Sequence, residues 1–172
     1  MKTRISIEEF NAKISGVPII DFARLAAFID GEGSILISRA LPIARHRQKS
    51  ITYSLAVVIT NTSPQLIAWL YDNFGGSVHN KKPSEGSKSF RSKRPIWSWH
   101  LQEKQAEVVL RKCLRYFIIK QQQAEIGIAF CALKKRSGPR FVRVSKQSLR
   151  RRENLHNKIH LLNSPHLVKR VG

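Results

Sequence analysis

Apolar and polar positions alternate with a period of two along four short stretches, Ser34 to Ile43, Thr52 to Thr60, Ser77 to Lys82 and Ile96 to Leu101. That period predicts four β-strands. In the second, Tyr53, Leu55, Val57 and Ile59 fall on one side and Thr52, Ser54, Ala56 and Val58 on the other, so the first set is expected to face a core. In the fourth, Trp97, Trp99 and Leu101 share a side opposite Ser98 and His100. Tryptophans two apart more often pack beneath a sheet than stack on bases, and the core is the expected place for both.

Helical patterns separate the strand pairs. A first helix is expected from Asp21, as its N-cap, to Ile29 or Asp30, with Gly31 and Gly33 ending it. A second follows Ser63 and Pro64 and stops at Gly75 and Gly76. Further helical stretches run from Glu103 to Ile118, from Gln121 to Leu133 and, strongly basic, from about Ser145 to Leu162. The order predicts an α+β, αββαββα arrangement: one antiparallel sheet with its apolar face under helices. Its 172 residues suit one compact domain, divided into an N-terminal extension (1–20), a core (21–144) and a basic C-terminal helix and tail (145–172) on the same domain.

Charge changes the picture most. The chain has 31 Lys and Arg against 11 Asp and Glu, a formal +20. Between Gly33 and Gln102 the only acids are Asp72 and Glu85. The bases there include Arg39, Arg45, Arg47, Lys49, Lys81, Lys82, Lys88, Arg91, Lys93 and Arg94. A basic surface across the strands and their connections implies a polyanionic partner, and the open sheet face suits duplex DNA. No apolar run approaches a membrane span, and the first residues, with Glu8 and Glu9, lack the pattern of a secretory or transit segment. Neither a membrane nor a small-molecule substrate is expected. The two cysteines, Cys113 and Cys131, lack metal spacing and read as small buried thiols of a reducing interior.

The stretch Leu25 to Gly33, LAAFIDGEG, carries the chemistry. Ala27 and Gly31 are four apart and share a helix face with little bulk, so two copies of the helix can approach closely there. Crossing copies would each bring Glu32 to nearly the same place. Two carboxylates that close repel unless a cation lies between them, and hard oxygen donors suit Mg²⁺. Ions so held could polarise a phosphate and activate water.

LAAFIDGEG resembles the namesake string of the LAGLIDADG homing endonucleases, with Ala27, Phe28, Gly31 and Glu32 as its departures. A second likeness is Phe117 to Ala124, FIIKQQQA. The resemblance implies a saddle-shaped sheet and site-specific, metal-dependent cleavage of double-stranded DNA that leaves 3′ overhangs. It implies Mg²⁺ held by Glu32 and the Gly31 carbonyl, with Mn²⁺ or Ca²⁺ able to substitute in binding. Lys120 would act near the scissile phosphate, Asn61 would hold a water, and Gln65 would stand where a nearby arginine is sometimes found. Asp30, at the first acidic position, would be structural. Read without the family, Lys120 is a solvated helix start and Asn61 a turn or cap residue.

Only one such string is present, so one chain offers half a site, and cleavage of both strands implies a homodimer. Its interface would involve Leu25, Ala26, Ala27, Ile29, Asp30 and Gly31, and its target would be long and partly palindromic. Strand parity suggests Ser38, Arg39, Thr52, Ser54, His79, Lys81 and His100 as readers of bases. Arg45, Arg47, Lys49, Lys82, Arg91, Lys93, Arg94 and Gln121 would join them on the DNA. His156 and His160, on the terminal helix, read as surface residues. Two rivals keep the charge and drop the cleavage: a DNA-binding regulator or RNA-splicing maturase on the same scaffold, and an unrelated RNA-binding protein.

Overall fold

The computed structural model of the chain describes residues 5–42, 51–81, 95–135 and 144–164. Helix α1 (Ile7–Ser15) opens on Ser6, whose hydroxyl accepts from the Glu9 N–H at 3.1 Å while the Glu9 carboxylate accepts from the Ser6 N–H at 2.7 Å. This reciprocal cap satisfies two donors that a helix start leaves open. It also turns Phe10 and Ile14 into the same core that the later elements share.

Helix α2 (Ile19–Glu32) starts just after Pro18, so Asp21 is not its cap. The Asp21 N–H is already bonded to the Pro18 carbonyl at 3.0 Å. Its carboxylate lies in the first turn, paired with Arg24 at 2.9 Å, where the positive end of the helix dipole favours it. At the far end the helix continues through Gly31 and stops only at Gly33.

Strands β1 (Gly33–Ala40), β2 (Thr52–Asn61), β3 (Ser77–Lys81) and β4 (Ile96–Gln102) form one antiparallel sheet in the order β1-β2-β4-β3. Helix α3 (Pro64–Phe74) links β2 to β3, capped by Ser63 as expected. Gly75 and Gly76, at φ +65° and +88°, turn the chain back into β3 in a backbone region that side chains rarely adopt. One sheet face is apolar: Ile35, Ile37, Tyr53, Leu55, Val57, Ile59, Trp99 and Leu101 are buried beneath the helices. Among those helices are α2, α4 (Glu103–Cys113) and α5 (Gln121–Lys135). The alternation in β2 and β4 thus faces the way the sequence predicts. Trp99 is fully buried and donates its indole N–H to the Gly75 carbonyl at 2.7 Å, which resolves the polar atom of a large core residue. Trp97 is half-buried at the core's margin.

Helix α6 (Lys146–Asn163) closes the outer side of β1, the strand at one end of the sheet. Asn163 donates to the Ile35 carbonyl at 2.8 Å, and His156 Nδ1 lies 2.6 Å from the Ile37 carbonyl. These two bonds meet carbonyls that an edge strand would otherwise leave open. His156 is therefore not a surface residue: it is half-buried with its ring 5.8 Å from Tyr53, and only His160, stacked on it, is exposed. Among the described residues no helix is long and apolar enough to cross a membrane.

Candidate active site

Glu32 is the last residue of α2, and Gly33 decides where its side chain goes. A Cβ at Gly33 would stand 2.7 Å from the Ile29 Cα and 3.0 Å from the Ile29 carbonyl oxygen, so only glycine lets the chain pass this close to the helix. The strand begins at once, and Glu32 is left exposed at the junction of α2 and β1. The last residue of β2 comes to meet it: Asn61 Nδ2 donates to Glu32 Oε2. Asn61 Oδ1 in turn accepts the Ser63 N–H at 2.7 Å, and Ser63 Oγ donates to Gln65 Oε1 at 3.0 Å. Three candidates, Glu32, Asn61 and Gln65, are thereby joined in one hydrogen-bonded line, with Asn61 fixing the carboxylate's orientation.

Lys120 is brought to α2 from the other side. The carboxylate of Asp30 accepts three consecutive main-chain N–H groups, from Ile118 at 2.7 Å, Ile119 at 3.2 Å and Lys120 at 2.9 Å. The Lys120 ammonium donates to the main-chain carbonyl of Asp30. Asp30 therefore pins the segment that leads into α5, two residues before Glu32. Burial lowers the Lys120 pKa from its ordinary value, and the charge of Asp30 works against that shift. The clamp was not legible in sequence, because Asp30 and its partners lie about 90 positions apart.

The expected helix contact needs correction. Leu25, Ala26 and Ile29 are wholly buried in the chain's own core, and Asp30 is buried by its clamp, so none of them is free to meet a second copy. A helix turning 100° per residue sets Leu25, Ala26 and Ile29 about 100° or more around from Ala27 and Gly31. The exposed face of α2 runs through Ile20, Arg24, Ala27 and Gly31. Beside the clamp, Ile118 and Ile119 are 91% and 68% exposed, an apolar pair that sequence inspection passed over.

The polar face of the sheet carries Ser38, Thr52, Ser54, Ser98, His79 and His100; its cross-strand rows include Ala40 with Thr52, Ser38 with Ser54, Ser34, Val58, His100 and Ser77, and Thr60, Ser98 and His79. Arg39 is not on it. Alternation puts Arg39 on the side of Ile35 and Ile37, where its guanidinium lies 3.9 Å from Glu153 of α6. Ser54 shares the face but donates to Glu103 at 2.6 Å, and that carboxylate also takes Lys134 at 2.7 Å. Ser38 donates to the Ser54 carbonyl at 3.2 Å. Gln121, exposed at the start of α5, bonds Glu125 at 3.3 Å. Lys81 ends β3. Arg45, Arg47, Lys49, Lys82, Arg91, Lys93 and Arg94 lie outside the described residues.

As a cation site, the donor set is oxygen only: the Glu32 carboxylate with the Gly31 carbonyl beside it. Hard divalent cations take six or more oxygens, so these residues fit such an ion in part. Among the described residues no group of three or more His, Cys, Asp or Glu side chains could hold a metal.

No protein-family profile matches the chain, and no curated protein sequence does. Solved structures do. The homing endonuclease I-CvuI in complex with its target superposes with a TM-score of 0.65 at 18% identity, over 84% of this chain and 82% of that one. The archaeal intron-encoded homing endonuclease I-Vdi141I complexed with DNA gives 0.62 at 14% identity, over 83% and 84%. The meganuclease I-SmaMI bound to DNA gives 0.58 at 15% identity, over 80% of this chain but 44% of that one. With the strand order and helix placement above, these superpositions establish that the chain has the fold of the LAGLIDADG homing endonucleases.

Proposed function

We propose that the chain is one subunit of a homodimeric, site-specific DNA endonuclease that hydrolyses phosphodiester bonds with a divalent cation, Mg²⁺, at a long, partly palindromic site and leaves 3′ overhangs. The observation that carries this reading is that the last turn of α2, on this fold, carries both Glu32, oriented by Asn61, and Asp30, which holds Lys120. A basic chain whose polar sheet face is covered by no helix among the described residues supports a nucleic-acid substrate.

The dimer rests on Gly31. A Cβ there would meet no atom within 4 Å, so nothing among the described residues requires glycine, although glycine in a helix interior costs about 1 kcal/mol relative to alanine. A second α2 crossing at Ala27 and Gly31 gives the missing side chain a purpose, and Ile20, Ile118 and Ile119 are apolar neighbours for the same contact. The match of this chain to less than half of I-SmaMI accords with one chain forming half of a working unit.

Glu32 and the Gly31 carbonyl would hold Mg²⁺, with Glu32 of a second copy completing the oxygen set. When bound, the ion supplies Lewis-acid polarisation of the phosphate and a stronger water nucleophile. Asn61 keeps Glu32 pointed at the junction. Lys120, the cation beside the same helix end, stabilises negative charge that develops on the phosphate oxygens. The polar sheet face, with Ser38, Thr52, His79 and His100, reads bases, and the basic connections contact phosphates.

The test is cleavage of a plasmid library of randomised inserts, with Mg²⁺ present. Linear product with staggered ends from the wild type, and bound but intact DNA with Glu32→Gln, is the expected pair of results. Linear product of undiminished rate from Glu32→Gln overturns the site. Tight DNA binding without cleavage by the wild type under any divalent cation favours the regulator reading.

A further inference from the structure

Ser38 and Ser54 face each other across β1 and β2 on the polar side of the sheet, Ser38 exposed and Ser54 half-buried. Both hydroxyl protons are committed inside the chain. Ser38 Oγ donates to the Ser54 carbonyl at 3.2 Å, and Ser54 Oγ donates to Glu103 Oε1 at 2.6 Å. The directions are fixed, because a main-chain carbonyl and an ionised carboxylate only accept. The same Oε1 takes the Lys134 ammonium at 2.7 Å, and Lys134 is anchored in turn to the Tyr53 carbonyl at 3.3 Å.

The pairing of β2 with β4 ends at Ala56 and Gln102, so Glu103 leaves the sheet where β2 runs on to Ser54. It does so at φ +53°, in the left-handed region that residues other than glycine rarely adopt and that persists where surrounding contacts hold it. The charged hydrogen bonds to Ser54 and Lys134 are such contacts. Thr60 and Ser98 behave differently: their hydroxyls, 2.9 Å apart on the same face, can exchange donor and acceptor roles. That pair sets no polarity, whereas the row of Ser38 and Ser54 does.

We propose that Glu103 is a positioning residue for Ser54, holding its hydroxyl as a pure acceptor so that Ser54 selects an amino-bearing base, adenine or cytosine, at one major-groove position of each half-site. The inference rests on the DNA reading above.

An unrestrained serine hydroxyl, with one proton and two lone pairs, can meet either donors or acceptors on base edges and discriminates little. With its proton on Glu103, Ser54 keeps only lone pairs for the groove. Adenine N6 and cytosine N4 present N–H donors there, whereas guanine N7 and O6 and thymine O4 are acceptors. Each base pair thus carries one amino group toward the major groove, and a fixed acceptor reads which strand bears it. Guanine or thymine at that place would set lone pair against lone pair and leave both desolvated without a partner. Ser38, turned the same way, extends the row of acceptors.

The experiment is selection from a randomised duplex library by the full chain, followed by affinity measurements on the selected duplex. The wild type should enrich adenine or cytosine over guanine and thymine at a defined position of each half-site. Deleting that amino group, with purine in place of adenine or 2-pyrimidinone in place of cytosine, should weaken binding about fivefold, the worth of one net hydrogen bond. Ser54→Ala should lose the preference at that position and bind the deleted and intact duplexes alike, while the other selected positions persist. Glu103→Gln should lose the same preference, because its NH₂ group can donate to Ser54 and free the hydroxyl proton for the groove. If Glu103→Gln fails to fold, judged by its melting curve, Glu103→Asp takes its place: it keeps the charge but draws the acceptor back from Ser54, and the same loss is expected. Retention of the preference by Ser54→Ala, or by the folded Glu103 variant, overturns the proposal and leaves the DNA reading standing. A wild-type protein that enriches no sequence overturns the DNA reading itself.

Discussion

Asp30 and Lys120 hold each other twice: the aspartate carboxylate accepts the lysine's main-chain N–H at 2.9 Å, and the lysine ammonium donates to the aspartate's main-chain carbonyl. With the Ile118 and Ile119 N–H groups on the same carboxylate, the acid acts as a three-pronged cap for the turn before α5. Two carboxylate oxygens are needed for three donors. Asp30→Asn keeps one acceptor and turns an NH₂ group toward the others, so it should lower stability by about 2–3 kcal/mol, read by urea denaturation. The same change should slow DNA cleavage more than DNA binding, because it frees Lys120 and leaves the sheet alone. Equal loss of both would move Asp30 out of any role in placing Lys120.

Gly31 and Gly33, two residues apart, should respond to alanine with opposite signs. At Gly33 the added Cβ meets the Ile29 backbone at 2.7 Å, a contact that no rotamer change relieves, and about 1–3 kcal/mol of stability should be lost. At Gly31 the Cβ enters open space, so the isolated subunit should gain up to about 1 kcal/mol from better helix propensity. If α2 pairs with a second α2, Gly31→Ala should weaken self-association at the same time. Thermal melts at low concentration and sedimentation equilibrium separate the two effects.

Burial pushes the Cys113 thiol from 9.0 up to about 12, with its sulfur 3.5 Å from the Phe22 carbonyl. Because the folded value is raised, this thiol's contribution to stability is complete below about pH 9, where both states are protonated. It is lost as the pH climbs through the folded value. A thiol reagent at about pH 8 should therefore label Cys113 only on unfolding, with the buried Cys131 behaving alike. Rapid labelling of the native protein would contradict this packing.

Much of the architecture is legible in sequence because it rests on local rules. The alternation of β2, the Ser63 cap and the turn at Gly75 and Gly76 each depend on neighbouring residues, and each appears where the pattern predicts. The cap of α1 was equally local: Ser6 and Glu9 form it at a spacing of three, within a stretch treated as an extension. Other outcomes depend on what lies across the fold. Whether Ala26 or Ala27 faces outward is set by the core that α2 packs against, and the small-residue string alone does not distinguish them. Strand parity without a fixed register puts Arg39 beside Ser38 among the base readers, but the buried Ile35 and Ile37 fix the parity of β1, and the Arg39 guanidinium lies 3.9 Å from Glu153 instead. Glu32 follows from the helix-crossing argument as well as from resemblance to a family, whereas Asn61 and Lys120 rest on the resemblance alone. Their geometry adds the agents that orient them, Asn61 for the carboxylate and Asp30 for the lysine.

The brace between α6 and β1 gives the last prediction. β1 ends the sheet, and an uncovered edge of this kind invites pairing with another chain. His156 and Asn163 stand two helical turns apart on α6 and meet the carbonyls of Ile37 and Ile35, two residues apart on the strand. Each contact should contribute about 1 kcal/mol, so His156→Ala and Asn163→Ala should each lower stability by that amount. Their combination should exceed the sum, since the first loss already loosens the helix that carries the second. Loss of the edge cover should also appear as aggregation on mild heating, measured by light scattering below the melting temperature. A double variant that melts lower yet stays monodisperse would assign the helix to packing, through Leu155 and the buried Ile159, and not to guarding the strand edge.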